Sequence, residues 1–266
     1  MNRTLRKVCI GIAAVAYVTL CSLGAGSCNA GPNANNTCLQ CHNGQLASDV
    51  SEFRDSPHDF MRCARCHGDG TAHVRNGGRG GLFIQNPDDL PFAQEFQVCA
   101  DCHEGESEQY TESGHFEAAA ASCYDCHDIH QTDALVLPAV DNSLCMRCHA
   151  AFGFASDEAI SAHTQHSVDP AGSGASRCTA CHMPPLEQGG DSETDHTLDT
   201  VQPIVSALAA EAQQTVPPNS CAGTDGCHDG SSAGEPVFDV NDPQHMRILQ
   251  TIYETWFPGA VDEQAE

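Results

Sequence analysis

Cys123-Tyr124-Asp125-Cys126-His127-Asp128-Ile129-His130 is the stretch on which the reading of this chain turns. Two cysteines three positions apart share one turn of chain, a histidine follows the second directly, and another histidine comes three residues later. Moving outward, Cys-x-x-Cys-His recurs at Cys38/Cys41/His42, Cys63/Cys66/His67, Cys99/Cys102/His103, Cys145/Cys148/His149 and Cys178/Cys181/His182. Six copies occur where the chain's own Cys and His frequencies give roughly 0.06 by chance. Composition does not produce this; chemistry must.

Two thiols on one turn reach the two vinyl groups of a single haem and form thioethers, and the histidine that follows lies under the iron as its proximal ligand. Disulfides are the first competing reading, since exported cysteines often pair, but a disulfide does not call for a histidine after every second cysteine. Zinc sites also use Cys-x-x-Cys units, again without the trailing histidine. A seventh pair, Cys221-Ala222-Gly223-Thr224-Asp225-Gly226-Cys227-His228, has five residues between its cysteines. Its two glycines permit a bulged loop that still presents both thiols; a small disulfide loop with an incidental histidine is the alternative. The expected cofactor is haem c, seven per chain. It is attached at Cys38, Cys41, Cys63, Cys66, Cys99, Cys102, Cys123, Cys126, Cys145, Cys148, Cys178, Cys181, Cys221 and Cys227.

The histidine count supports this. Of 15 histidines, His42, His67, His103, His127, His149, His182 and His228 are proximal by the motif. Seven irons then need seven distal partners from the eight that remain. The expected set is His58, His73, His115, His130, His163, His196 and His245, with His166 as the alternative to His163. An internal repeat orders them: Ser56-Pro57-His58, Ser113-Gly114-His115 and Ser161-Ala162-His163 each follow an odd-numbered motif. His130 is too near His127 to reach the far side of the same iron, so it should serve a neighbouring haem; the same holds, less firmly, for His73.

The chain therefore divides into a leader at 1–30, three two-haem units over 31–186, and a segment 187–266 carrying the seventh site and two helices. Arg3, Arg6 and Lys7 precede the apolar run Val8–Leu23 and a small-residue tail, the pattern of a secretory signal. Cleavage after Ala30, a lipoprotein signal acylated at Cys28, and an uncleaved anchor are the three forms it can take. All place the remainder outside the cytoplasm, in the periplasm or at the cell surface. Polar linkers are expected at 31–36 and 187–194. Helical periodicity marks 201–215 and 242–256, the second with Met246, Leu249, Ile252, Tyr253 and Trp256 on one face packed against the last haem.

Only 11 basic residues oppose 36 acidic ones, which excludes a nucleic-acid binder, because nothing neutralises a run of phosphates. Lys7 is the only lysine, and removing the leader's three basic residues leaves eight against the same 36. Within that acidic background Arg62, Arg65, Arg75 and Arg79 cluster, either as solvated surface or as partners for haem propionates. Aromatics are 6% of the chain, too few and scattered for a conventional core. The expected fold is mainly irregular with short α-helices, wrapped around a row of haems, with no significant β-sheet.

These residues resemble multihaem cytochromes c of the doubled Cys-x-x-Cys-His type. Cys66-His67-Gly68-Asp69-Gly70-Thr71-Ala72-His73 and Cys126-His127-Asp128-Ile129-His130 look like elements of periplasmic decahaem cytochromes in outer-membrane electron conduits. Cys181-His182-Met183-Pro184, Asp195-His196 and Pro218-Asn219-Ser220-Cys221 are similar to the tail of many exported multihaem cytochromes. The likeness covers about residues 37–230 and departs in having seven sites and a widened last motif. It implies single-electron transfer through bis-His, low-spin haems of low potential, in periplasmic or extracellular respiration. The implied partners are redox proteins, an outer-membrane conduit, or further copies in a haem filament; membrane contact is through the leader alone. The alternative is a nitrite- or hydroxylamine-type reductase with one open iron. No Cys-x-x-Cys-Lys site exists here, so that reading depends on the Cys221/Cys227 site lacking a distal ligand.

Overall fold

The computed structural model describes residues 36–42, 50–78, 84–133, 135–137, 141–168, 175–188, 193–224, 226–231 and 234–258. The expected leader with Cys9, Cys21 and Cys28, Arg79, and parts of both expected polar linkers lie outside them. Two compact units, residues 1–85 and 86–266, divide the chain. Among the described residues the structure is helical and irregular; its only β-type pairings are isolated bridges at His127–Leu135 and Pro185–Thr194.

The six short motifs become helical turns for a local reason. The His42 N–H donates to Cys38 O at 3.0 Å, His103 N–H to Cys99 O at 3.0 Å, and His127 N–H to Cys123 O at 2.8 Å. Cys63–His67 and Cys178–His182 are complete α-helical turns, and Cys145/Cys148/His149 close the helix Ser143–His149. The i to i+4 bond puts the first cysteine, the second cysteine and the histidine on one face. Spacing in sequence has become geometry.

In the first unit, Gly68 takes φ +69° just after the Cys63–His67 helix, a left-handed conformation that ends helices and favours glycine. Asp69 then accepts from the Thr71 N–H at 2.9 Å and from the Thr71 hydroxyl, starting the turn Thr71–Arg75 that carries His73. Leu39 and Phe53 are the buried apolar side chains described there.

The second unit contains α1 (Phe92–Ala100), α2 (Glu104–Tyr110), α3 (Asp157–Thr164), α4 (Pro203–Glu211) and α5 (Pro243–Trp256). Phe92, Phe96, Tyr110 and Phe116 gather with ring centres 5.0–6.3 Å apart. Proline at the first position opens both α4 and α5, and the Asp242 carboxylate caps α5 by accepting from the Gln244 N–H at 2.8 Å. α4 is shorter than the periodicity of 201–215 predicts. It stops because Gln213 turns left-handed, at φ 56°, and Gln214 N–H bonds back to Ala209 O.

The apolar core is small and lies at one end. Ala207, Ala222, Val240, Met246 and Leu249 form its buried centre, with Ile204, Val216, Phe238 and Ile252 around them. The α5 stripe thus packs on α4 and the 219–222 segment, while Trp256 at its end is about half exposed. Among the described residues between 92 and 200, the buried apolar side chains are Ile160 and Pro184. Most of the chain is held by something other than aliphatic packing.

Candidate haem-attachment and axial-ligand sites

The repeat serines explain where their histidines stand. The Ser56 hydroxyl donates to Phe53 O at 2.9 Å and accepts from the His58 N–H at 3.2 Å. Ser113, fully buried, accepts from the Phe116 N–H at 3.1 Å and so starts the turn holding His115. Ser161 accepts from the Val168 N–H at 3.2 Å, tying α3 to the segment after it. Each Ser-x-His is a local backbone tie.

Five pairs of histidine rings face one another. His42 and His73 have centres 6.3 Å apart, His127 and His196 6.4 Å, His163 and His182 6.2 Å, His166 and His228 6.1 Å, and His115 and His149 5.7 Å. With metal–nitrogen bonds of about 2 Å on either side of one ion, two trans imidazoles have ring centres roughly 6 Å apart. Rotation about that axis is free, so interplanar angles from 8° to 66° are all compatible. In each pair one histidine belongs to an attachment motif and the other does not. His127 faces His196 rather than His130, and His73 faces the proximal histidine of the motif before its own.

Tautomers point the same way. The Nδ1–H groups of His67, His182, His228, His166 and His196 donate to backbone carbonyls of Gln85, Leu198, Pro236, Thr164 and Thr194, at 2.7–2.9 Å. A carbonyl only accepts, so these rings carry their proton on Nδ1 and leave the Nε2 lone pair for a metal. Burial pushes His115 and His163 down from the ordinary imidazole pKa, and their ring partners His149 and His182 add to it. The neutral, ligating form is favoured.

The thiols are also arranged in register. Cys63 is pushed up to about 11 by burial and by Cys38 beside it. Cys99 is raised by a hydrogen bond to Cys123 and by burial, and Cys145 by a hydrogen bond to Cys178 and by burial. First cysteine meets first cysteine in each of the three two-motif units. Burial, with Cys145 nearby, raises Cys126; burial and Cys227 push Cys181 up to about 11. All fourteen described cysteines are free of disulfides. The same hydrogen bonds act in the opposite direction on the partners, lowering Cys123 through Cys99 and Cys178 through Cys145. Among the described residues no group of three or more His, Cys, Asp or Glu converges on one point. A haem iron needs only two protein ligands, so the residues fit haem and do not fit a bare ion.

The seventh motif is built differently, without a helix. Asn219, 1% exposed, accepts from the Cys221 and Ala222 N–H groups at 3.0 Å and donates to Ser206 Oγ at 2.8 Å. Gly223, at φ +91°, leaves no space for a side chain, since a Cβ there would come 2.9 Å from Pro218 Cα. The Asp229 carboxylate accepts from the Ser231 and Gly226 N–H groups, and the Ser231 hydroxyl, with these N–H groups, holds its pKa down at about 2. Burial, Cys181 and Cys227 push the Cys221 thiol up to about 12, and the neighbouring Ser220 hydroxyl donates to Cys181 O.

Arg62, Arg65 and Arg75 are exposed in the first unit. His58, His67, His103 and His130 have interactions of their own. His245 faces no other histidine; its ring meets Phe238 at 6.0 Å. Sequence spacing did not reveal that His166 stands opposite His228.

Residues 63–142 match the family described as cytochrome c-type protein NrfB-like. That match and the repeated motifs support a multihaem c-type cytochrome. Over 95 residues, 35% of its length, it is 24% identical to multiheme cytochrome MtrA of Shewanella baltica (strain OS185), and the match spans 28% of that protein. No solved structure matches significantly. Covalent haem c and electron transfer belong to this family, and the irregular helical fold agrees with it. No described helix is long and apolar enough to cross a membrane.

Proposed function

We propose that this cytochrome carries single electrons along seven covalently bound, bis-His, low-spin haems in periplasmic or extracellular respiration, and that it is a carrier, not a reductase. The observation that carries this reading is the set of facing histidine rings, each joining a motif histidine to one from elsewhere in the chain. Haem c supplies a one-electron ferric/ferrous couple when bound. The fourteen motif cysteines would hold it by thioethers. His42 with His73, His149 with His115, His127 with His196 and His182 with His163 would ligate four of the irons. His58 and His130 would serve His67 and His103. With two histidines per iron no site would remain for substrate, so these residues would do no bond-making chemistry and would set spacing.

The cysteine contacts support close spacing, because thiols that touch bring their thioether edges together. The acidic surface favours the ferric state and a basic redox partner. Partners in this reading are periplasmic donors, an outer-membrane conduit, or further copies in a haem filament. Integrated low-temperature EPR of the oxidised protein, set against haem content by intact mass, tests it. Seven haems, all low-spin, are expected; a high-spin haem in the native protein sinks the carrier reading and revives the reductase.

A further inference from the structure

Two histidines contend for the iron at the widened motif, and their hydrogen bonds differ. His166 donates its Nδ1–H to Thr164 O at 2.7 Å and so presents Nε2 as a lone pair. His228, opposite at 6.1 Å, does the same through Pro236 O. The backbone holds His166 firmly: its N–H donates to Thr164 Oγ1 at 3.2 Å, and its carbonyl accepts from the buried Ser176 hydroxyl at 2.8 Å. His245 is the reverse. Its Nδ1 accepts from the Asp239 N–H at 3.0 Å, which consumes that lone pair and places the ring proton on Nε2, 3.9 Å from Asp242 Oδ2. Neither nitrogen of His245 is left for a metal; it ties the 239–242 turn to the start of α5.

We infer that His166, and not His245, is the sixth ligand of the iron held by Cys221, Cys227 and His228. The inference rests on the reading that the widened motif binds haem. Its structural device is Gln165, which takes a left-handed conformation, φ 58°, at the end of α3. The chain reverses there, so His163 faces His182 while His166, three residues on, faces His228. His163 and His166 are therefore ligands to two neighbouring irons. Two residues, Thr164 and Gln165, join them, and the sixth motif is tied to the start of the seventh by the Ser220 hydroxyl, which donates to Cys181 O.

The test uses the full-length, haem-loaded protein. His166→Gly converts about one seventh of the ferric iron from low- to high-spin, lets one haem per chain bind carbon monoxide once reduced, and regains the low-spin signal with added imidazole. His166→Met, which keeps a ligand atom, shifts the g values of one haem without a high-spin signal and serves if the glycine variant is poorly folded. His245→Asn leaves spin state and carbon monoxide binding unchanged. A high-spin haem in His245→Asn with none in His166→Gly overturns the assignment. An intact mass with six haems overturns its premise. A high-spin haem already present in the unsubstituted protein overturns the carrier reading instead, so the two failures are told apart.

Discussion

The stretch from 92 to 200 and the segment from 201 to 257 solve the same folding problem in different ways. The first holds four attachment motifs on short turns, yet among its described residues it buries only Ile160 and Pro184 as apolar side chains. The second holds a single attachment site on an irregular loop, but packs α4 against α5 around Met246. Where side chains build a core, the attachment loop need not be a helix, because Asn219 is anchored to that core and carries the loop with it. Where they do not, each motif must fix its own geometry through an i to i+4 bond. Porphyrin faces then supply the apolar surface that the sequence lacks.

Substitutions in the second region should break this contrast most sharply. Met246→Ala, at a site with no exposure, empties part of the α4–α5 core and should cost about 2–5 kcal/mol, read from hydrogen exchange of α4 and α5 amides. Protection of the turns at Cys123 and Cys145 should change little; a uniform loss would show that the contrast between the regions is false. Asn219→Ala is next. It leaves two buried or half-buried N–H groups unpaired and should cost about 1–3 kcal/mol. Intact mass should show a fraction of molecules one haem short, with the other six retained. Arg247→Ala comes last. It removes a bidentate ion pair with Glu211 that joins α4 to α5, but both side chains are over 40% exposed. The loss should be at most about 1 kcal/mol and should shrink further in salt.

Much of this was legible before any coordinates. The turns at the six short motifs follow from spacing alone, and the α5 stripe from its periodicity and from Asp242-Pro243 at its start. Composition correctly gave an irregular helical fold with little core. Two things were hidden. Met246 and Leu249 of the α5 stripe pack on Ala207 and Ala222, neighbours that apolar periodicity does not name, because it marks a face but not what covers it. The ring facing His228 was hidden because spacing along the chain cannot see the reversal at Gln165. A clue to His245 was present: it is the third residue after the capping Asp242, where a side chain bonds locally.

The position of the α4–α5 core along the chain has a consequence for the timing of assembly. Its partners, residues 204–222 and 238–252, are synthesised after all six short motifs, and nascent chains fold roughly from the N-terminus onward. This apolar core is therefore missing while the first six motifs emerge. Until then those motifs remain open chain, with both thiols within reach of whatever enzyme stitches the cofactor to them, and collapse becomes available only after the stitching sites have been presented.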